Sequence, residues 1–248
     1  MNNLINPFNL SESEIAKLPV LRRVRVMVFI NDETVCGVEE NNGDKRILTI
    51  PGGGIEEGED DETGARREVR EETGYEITEL ALLGKMKLIR KDHCSLTTFY
   101  TARIAGEQQA LSLTEDEIIA KTKPVIISFN ELIATTVRQY HETKLASLSR
   151  NLFIITEVLK KKLADEGFPY VYEWHDDAGT TYLEHFHKDN VSIYITEGDV
   201  TFTFPKTGET KIVSIGERFD VPTGEPHTAL VGSSGCSYIV GEMIDGDS

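Results

Sequence analysis

GGIEEGEDDETGARREVREETGY, residues 53–75, carries the pattern from which the rest of this chain can be read. Across its gaps it runs Gly53, five residues, Glu59, seven residues, then Arg67-Glu68-Val69-Arg70-Glu71-Glu72-Thr73-Gly74-Tyr75. Just upstream, Ile47-Leu48-Thr49-Ile50 has the make-up of a short strand. Pro51-Gly52-Gly53-Gly54 stops it, and the glycines free the backbone for tight turns and close approach. A helix is expected from about Glu62 to Thr73, closed by Gly74 in the place a C-terminal cap favours. On that helix Glu68, Glu71 and Glu72 stand at i, i+3 and i+4 and share a face, while Ala65 and Val69 turn elsewhere and can pack. Carboxylates crowded in this way repel one another unless a cation lies between them, and hard oxygen ligands suit Mg²⁺ or Mn²⁺. Acidic, solvated helix faces are common, but that account gives no reason for the Gly-rich entry or for Arg67 and Gly74 in register.

Written G-x5-E-x7-R-E-U-x-E-E-x-G-U, with U bulky and apolar, the stretch resembles the signature of the Nudix hydrolases; Tyr75 is an aromatic in the last apolar place. The resemblance implies a divalent-metal hydrolase that breaks a phosphoanhydride bond in a nucleoside diphosphate linked to another group. It also implies roles. Glu71 and Glu72 would be the principal metal ligands, Glu68 the ligand or general base nearest them, and the Gly52 carbonyl a further ligand. Arg67 would hold a carboxylate by a charge-assisted pair, and Glu59 would anchor the loop onto the helix. Some members take another Glu from a later loop, for which Glu115 and Glu117 are the candidates. Thr114-Glu115-Asp116-Glu117 equally fits a capping box that opens a short helix.

Length and composition suit two compact domains: 248 residues with 39% apolar content can build separate cores. No long apolar run is present and Met1 does not open a charged-then-apolar leader, so a cytoplasmic protein with no membrane partner is expected. Cys36, Cys94 and Cys236 are odd in number and fit no metal-ligand spacing, which suits a reducing compartment. A net charge of −16 argues against a nucleic-acid polymer as partner, whereas a small nucleotide-type substrate received by metals is compatible with it. A homodimer is compatible as well. The charge is uneven: residues 164–248 hold sixteen Asp plus Glu against four Lys plus Arg. That shift places a domain boundary near residue 165.

Residues 1–165 are therefore read as one domain. Arg23 to Ile30 and Leu96 to Ile104 have strand character, with the apolar stretch Ile77 to Ile89 between them, and Pro124 to Ser128 precedes a short helix near Asn130 to Thr135. Leu145, Leu148, Leu152, Ile155, Leu159 and Leu163 recur at helical spacing and close the domain. Pattern and Nudix resemblance agree on an α/β (α+β) sandwich built on a mixed sheet.

Residues 166–248 switch to short alternating strands: Phe168 to Trp174, Thr180 to His187, Val191 to Thr196, Asp199 to Phe204, Lys211 to Ile215 and Ser237 to Glu242. His185-Phe186-His187, then Gly198, then Gly216-x5-Pro222-Thr223-Gly224-Glu225-Pro226-His227 resemble the two halves of the cupin motif, which implies an all-β jelly-roll barrel. Val191 stands where the family has its metal-binding Glu, and Val231 where it has a terminal Asn. A three-histidine site of His185, His187 and His227 remains, suited to a transition metal such as Zn, Fe or Ni.

The leading expectation is a Nudix pyrophosphohydrolase with an accessory cupin domain for ligand recognition or regulation. Two alternatives stand beside it: a bifunctional protein whose cupin half is an independent metal-dependent dioxygenase or isomerase, and a non-catalytic ligand sensor. Arg90 and Lys91 occupy the places where a Pro or Tyr marks certain Nudix subfamilies, so the nucleotide is left open.

Overall fold

A computed structural model describes residues 3–243. By packing, the chain divides into two units, one of Met1–Phe129 and Lys144–Ile154, the other of Asn130–Thr143 and Ile155–Ser248. The break in composition near residue 165 does not coincide with this division. A single helix, Ala146–Asp165, runs through the end of the first domain expected from sequence and gives its second half to the C-terminal unit.

The first unit is built from β1 (Asn3–Ile5), α1 (Glu12–Ile15), β2 (Val20–Phe29), β3 (Thr34–Asn42), β4 (Lys45–Thr49), α2 (Asp61–Thr73), β5 (Glu76–Ile89), β6 (Cys94–Ala105), α3 (Glu115–Ile119) and β7 (Lys123–Ser128). Its seven-stranded sheet runs β1-β5-β6-β2-β3-β4, with β7 also paired to β3. The sheet is mixed, as expected: β1 with β5 and β2 with β6 are parallel, the rest antiparallel. Alternation along β2 sends Val24, Val26 and Val28 to the face where Ala65 and Val69 of α2 pack, and all five are fully buried. That contact fixes α2 against the sheet and thereby aims its acidic face.

In the C-terminal unit, α4 (Phe129–Thr143) and the second half of α5 (Ala146–Asp165) accompany β8 (Tyr170–Asp176), β9 (Thr181–His185), β10 (Val191–Phe204), β11 (Glu209–Ser214), β12 (Arg218–Val221) and β13 (His227–Glu242). All six strands join one antiparallel sheet in which β10 and β13 form the long central pair. A Cβ on Gly241 would lie 2.9 Å from Phe168 and 3.2 Å from Leu163 of α5, so only glycine lets β13 come this near. Two strands expected at Val191 to Thr196 and Asp199 to Phe204 are one, β10, interrupted by register shifts around Gly198, which holds φ 73°. Among the described residues no helix is long and apolar enough to cross a membrane.

Candidate functional site

Helix α2 begins at Asp60, whose carboxylate accepts from the Thr63 amide at 2.7 Å, and ends at Gly74 with φ 74°. Between these caps Glu68 and Glu72 are buried, 7% and 8% exposed, and Glu71 is half-buried. Arg67 organises the cluster. Its Nε and one Nη donate to the two carboxylate oxygens of Glu59 at 3.0 Å each, and that Nη also reaches the Gly54 carbonyl at 2.8 Å. The other Nη donates to Glu68 and to Glu71, both at 3.0 Å. A planar fork that satisfies five acceptors ties the Gly-rich loop to the helix and presets Glu68. Hydrogen bonds to Glu59, Glu68 and Glu71 hold the guanidinium pKa well above its ordinary value.

Carboxylate oxygens of Glu68, Glu72 and Glu117 lie within 4.8 Å of one another. Glu117 arrives on α3, where both halves of the capping box form: the Thr114 side chain accepts from the Glu117 amide and Glu117 accepts from the Thr114 amide. The two readings of Thr114 to Glu117 are thus compatible in one residue. Glu115 is not in the cluster, and Glu71 is turned toward Arg67. Gly52, at φ 134°, sits so close to Val24 and Arg25 that a Cβ would meet their backbone, and its amide donates to Glu72 at 2.8 Å.

Burial pushes the Glu72 carboxyl up to about 8, against the pull of Arg25 and the Gly52 amide; burial raises Glu68 as well. Burial thus disfavours the ionised forms of Glu68 and Glu72, and a cation between them would offset that cost. The donor set, all oxygen and all anionic when ionised, fits a hard divalent ion.

The C-terminal unit gathers the second set. Strand register pairs His185 directly with His227, and ligating nitrogens of His185, His187 and His227 lie within 4.8 Å of one another. Nδ1 of His185 is 2.8 Å from the Leu183 carbonyl, and Nδ1 of His227 is 2.9 Å from the Glu225 carbonyl. A carbonyl only accepts, so in both rings Nδ1 carries the hydrogen and Nε2 is left as a lone pair. His227 is fully buried and its Nε2 has no partner, an orphaned atom that fits a transition-metal ligand. His187 is kept below the usual imidazole range by burial and by its two neighbours.

These rings line a cavity of about 250 Å³ whose wall includes Tyr172, Trp174, Tyr182 and Tyr238. Asp176 accepts from the Trp174 indole at 3.1 Å, from the Tyr182 hydroxyl at 2.8 Å and from the Tyr238 hydroxyl, which knits that wall together. Glu242 also lines the cavity, directly across from Val191 in the β10–β13 register. Sequence reasoning missed these residues. The alternation Tyr170-x-Tyr172-x-Trp174-x-Asp176, one strand face of aromatics ending in a carboxylate, was the available signal.

A family model for the NUDIX domain matches residues 21–148. A methanol dehydrogenase activator of Bacillus methanolicus is 28% identical over 121 residues, which is 46% of this chain and 65% of that protein, so the chain spans just under two thirds of its length. Among solved structures, a Nudix hydrolase from Nitrosomonas europaea aligns at 22% identity over 49% of this chain and 79% of its own, TM-score 0.41. The Bacillus subtilis pyrophosphohydrolase aligns at 27% over 49% and 67%, TM-score 0.36. Over the remainder, an RmlC-like cupin from Shewanella frigidimarina aligns at 23% over 31% and 68%, TM-score 0.27. With the family model covering more than half of its residues, the chain belongs to the Nudix family.

Proposed function

We propose that the first unit is a pyrophosphohydrolase which cleaves a nucleoside diphosphate linked to another moiety by attack of water, with Mg²⁺ or Mn²⁺ held by Glu68, Glu72 and Glu117. The observation that carries this reading is the three-carboxylate cluster, with Glu68 and Glu72 buried and Glu117 half-buried, locked from one side by Arg67. A bound divalent ion would neutralise charge on the phosphates and lower the pKa of the attacking water. Arg67 orients Glu68 and holds Glu71 ready beside it, where Glu71 and the Gly52 carbonyl complete the ligand set the family pattern implies. Glu68, raised by burial, suits a residue that takes a proton from water and passes it on. Glu115, outside the cluster, has no part in this scheme.

The C-terminal unit, in the same reading, is a cupin that binds a transition metal such as Zn, Fe or Ni through His185, His187 and His227 and serves ligand recognition or regulation. The orphaned Nε2 of His227 and the adjoining cavity also favour a second reading, an independent metal-dependent enzyme in this half. A cytoplasmic location suits the three unpaired thiols. A homodimer would cover Leu183 and Phe186, exposed on and beside β9. The test is a mass-spectrometric turnover screen of nucleotide sugars, dinucleotides, nucleoside triphosphates and oxidised nucleotides with Mg²⁺ or Mn²⁺. Metal-dependent release of a nucleoside monophosphate supports the scheme, and no turnover of any anhydride sinks it.

A further inference from the structure

Charges inside a protein are almost always paired, yet four guanidinium groups of the first unit form no ion pair at contact distance with any described residue. Arg23 and Arg25 alternate on β2 and share the sheet face opposite to the one that receives α2. In register beside them on β6 stand Thr97, next to Arg23, and Phe99, next to Arg25; Ser95 is two residues further along the same face. Phe153 of α5 rests on Phe99 with ring centroids 4.7 Å apart. Arg150, one helical turn earlier on that helix face, is thereby brought over Arg23 and Arg25. Arg90 follows directly on β5, the other neighbour of β6.

Arg25 is buried and the other three are half-buried. None of the four makes an ion pair or a side-chain hydrogen bond with a described residue, and Arg150 Nε is buried without a partner. The hydroxyls of Ser95 and Thr97, 1% and 0% exposed, are likewise unpartnered. Burial and repulsion from Arg25, Arg23 and Arg90 pull Arg150 below the ordinary guanidinium pKa, although such a group stays charged at neutral pH. Ordered water could satisfy the hydroxyls but would not offset four like charges. Arg23 is in electrostatic reach of Glu68, and Arg25 of both Glu68 and Glu72, so this basic recess borders the carboxylate cluster.

We infer that Arg23, Arg25, Arg90 and Arg150, with the hydroxyls of Ser95 and Thr97, receive a second anionic group of the substrate, a phosphate that lies outside the diphosphate bridge being cleaved. A dianionic phosphate offers the multiple acceptors that forked guanidiniums and hydroxyls match, and more charge than a lone carboxylate. The word substrate rests on the hydrolase reading. The anion site does not.

Calorimetry on the full chain in EDTA tests the site alone, with inorganic phosphate compared with chloride at equal ionic strength. Phosphate should raise Tm in the wild-type protein. Arg150→Gln should raise Tm without phosphate, because like-charge repulsion is relieved, and should lose most of the phosphate increment. With Mg²⁺ present, matched pairs that differ by one phosphate, NADP⁺ against NAD⁺ and coenzyme A against its dephospho form, test the substrate class. At least one phosphate-bearing member should show a kcat/KM tenfold or more higher, and Arg23→Gln should erase the preference. Equal Tm in phosphate and chloride, or an Arg150→Gln protein that is destabilised yet still responds to phosphate, overturns the site. Equal turnover within both pairs overturns the substrate class. A phosphate response in a chain that cleaves no anhydride would support the site while refuting the hydrolase reading.

Discussion

Glu72→Gln should make the metal-free protein more stable while it destroys activity. Glu72 is 8% exposed and its carboxyl is raised from 4.5 to about 8. An acid whose folded pKa is raised binds more protons folded than unfolded between those two values, so its contribution to stability falls as pH rises through that window. From pH 5 to pH 7 the loss is on the order of 2–3 kcal/mol, and at pH 7 the full penalty is about 3 kcal/mol. Glutamine keeps an oxygen to accept from the Gly52 amide and cannot ionise, so the variant should lack this component of the slope. The assay is calorimetric Tm in EDTA at a series of pH values, where the difference between variant and wild type should widen by about 5–10 °C from pH 5 to pH 7. Divalent ion should close that gap by stabilising only the wild type. Turnover should fall by ~10²-fold or more, and less for Glu71→Gln, since Glu71 is turned toward Arg67. A variant with the same pH slope as the wild type, or with metal-dependent turnover intact, would refute the account of a buried carboxylate waiting for a cation.

Arg67→Ala removes all five hydrogen bonds of the fork; it should cost about 2 kcal/mol and lower kcat at least tenfold, while an unchanged kcat would separate Arg67 from the placement of Glu68. Metal analysis of protein purified without an affinity tag should find a transition metal that is lost in His227→Ala and released as pH falls through the imidazole range; a wild-type chain that takes up none on titration would reduce the trio to a scaffold. Gly241→Ala should destabilise by about 1–3 kcal/mol, because its methyl would press on Phe168 and Leu163, and a neutral effect in denaturant titration would mean that these side chains can yield.

What the sequence revealed and what it hid follow one rule. Glu68 and Glu72 were legible because helical spacing alone brings them together, and the cap at Gly74 fixed where the helix ended. Spacing could not tell that an Arg67 nitrogen would draw Glu71 aside, or that Glu117 would come in from α3, more than forty residues on. The three histidines were readable from motif spacing, whereas Glu242 reaches the cavity only through pairing of β13 with β10. Helix α4 runs to Thr143, past the end expected near Thr135, although Thr136 and Val137 are poor helix formers; both are buried, and packing overrides the local preference. β12 went unread because four residues are too few for alternation to register.

Trp174, in the aromatic wall of the cavity, is the only tryptophan in the chain. Emission excited at the red edge of the protein spectrum therefore reports on the C-terminal unit and is blind to the Nudix unit. An unfolding midpoint read from it belongs to one half of the molecule, and disagreement with circular dichroism would reveal two transitions where one was assumed. The same indole gives a label-free signal for anything that enters the cavity, with Tyr172 and Tyr182 too short in wavelength to interfere.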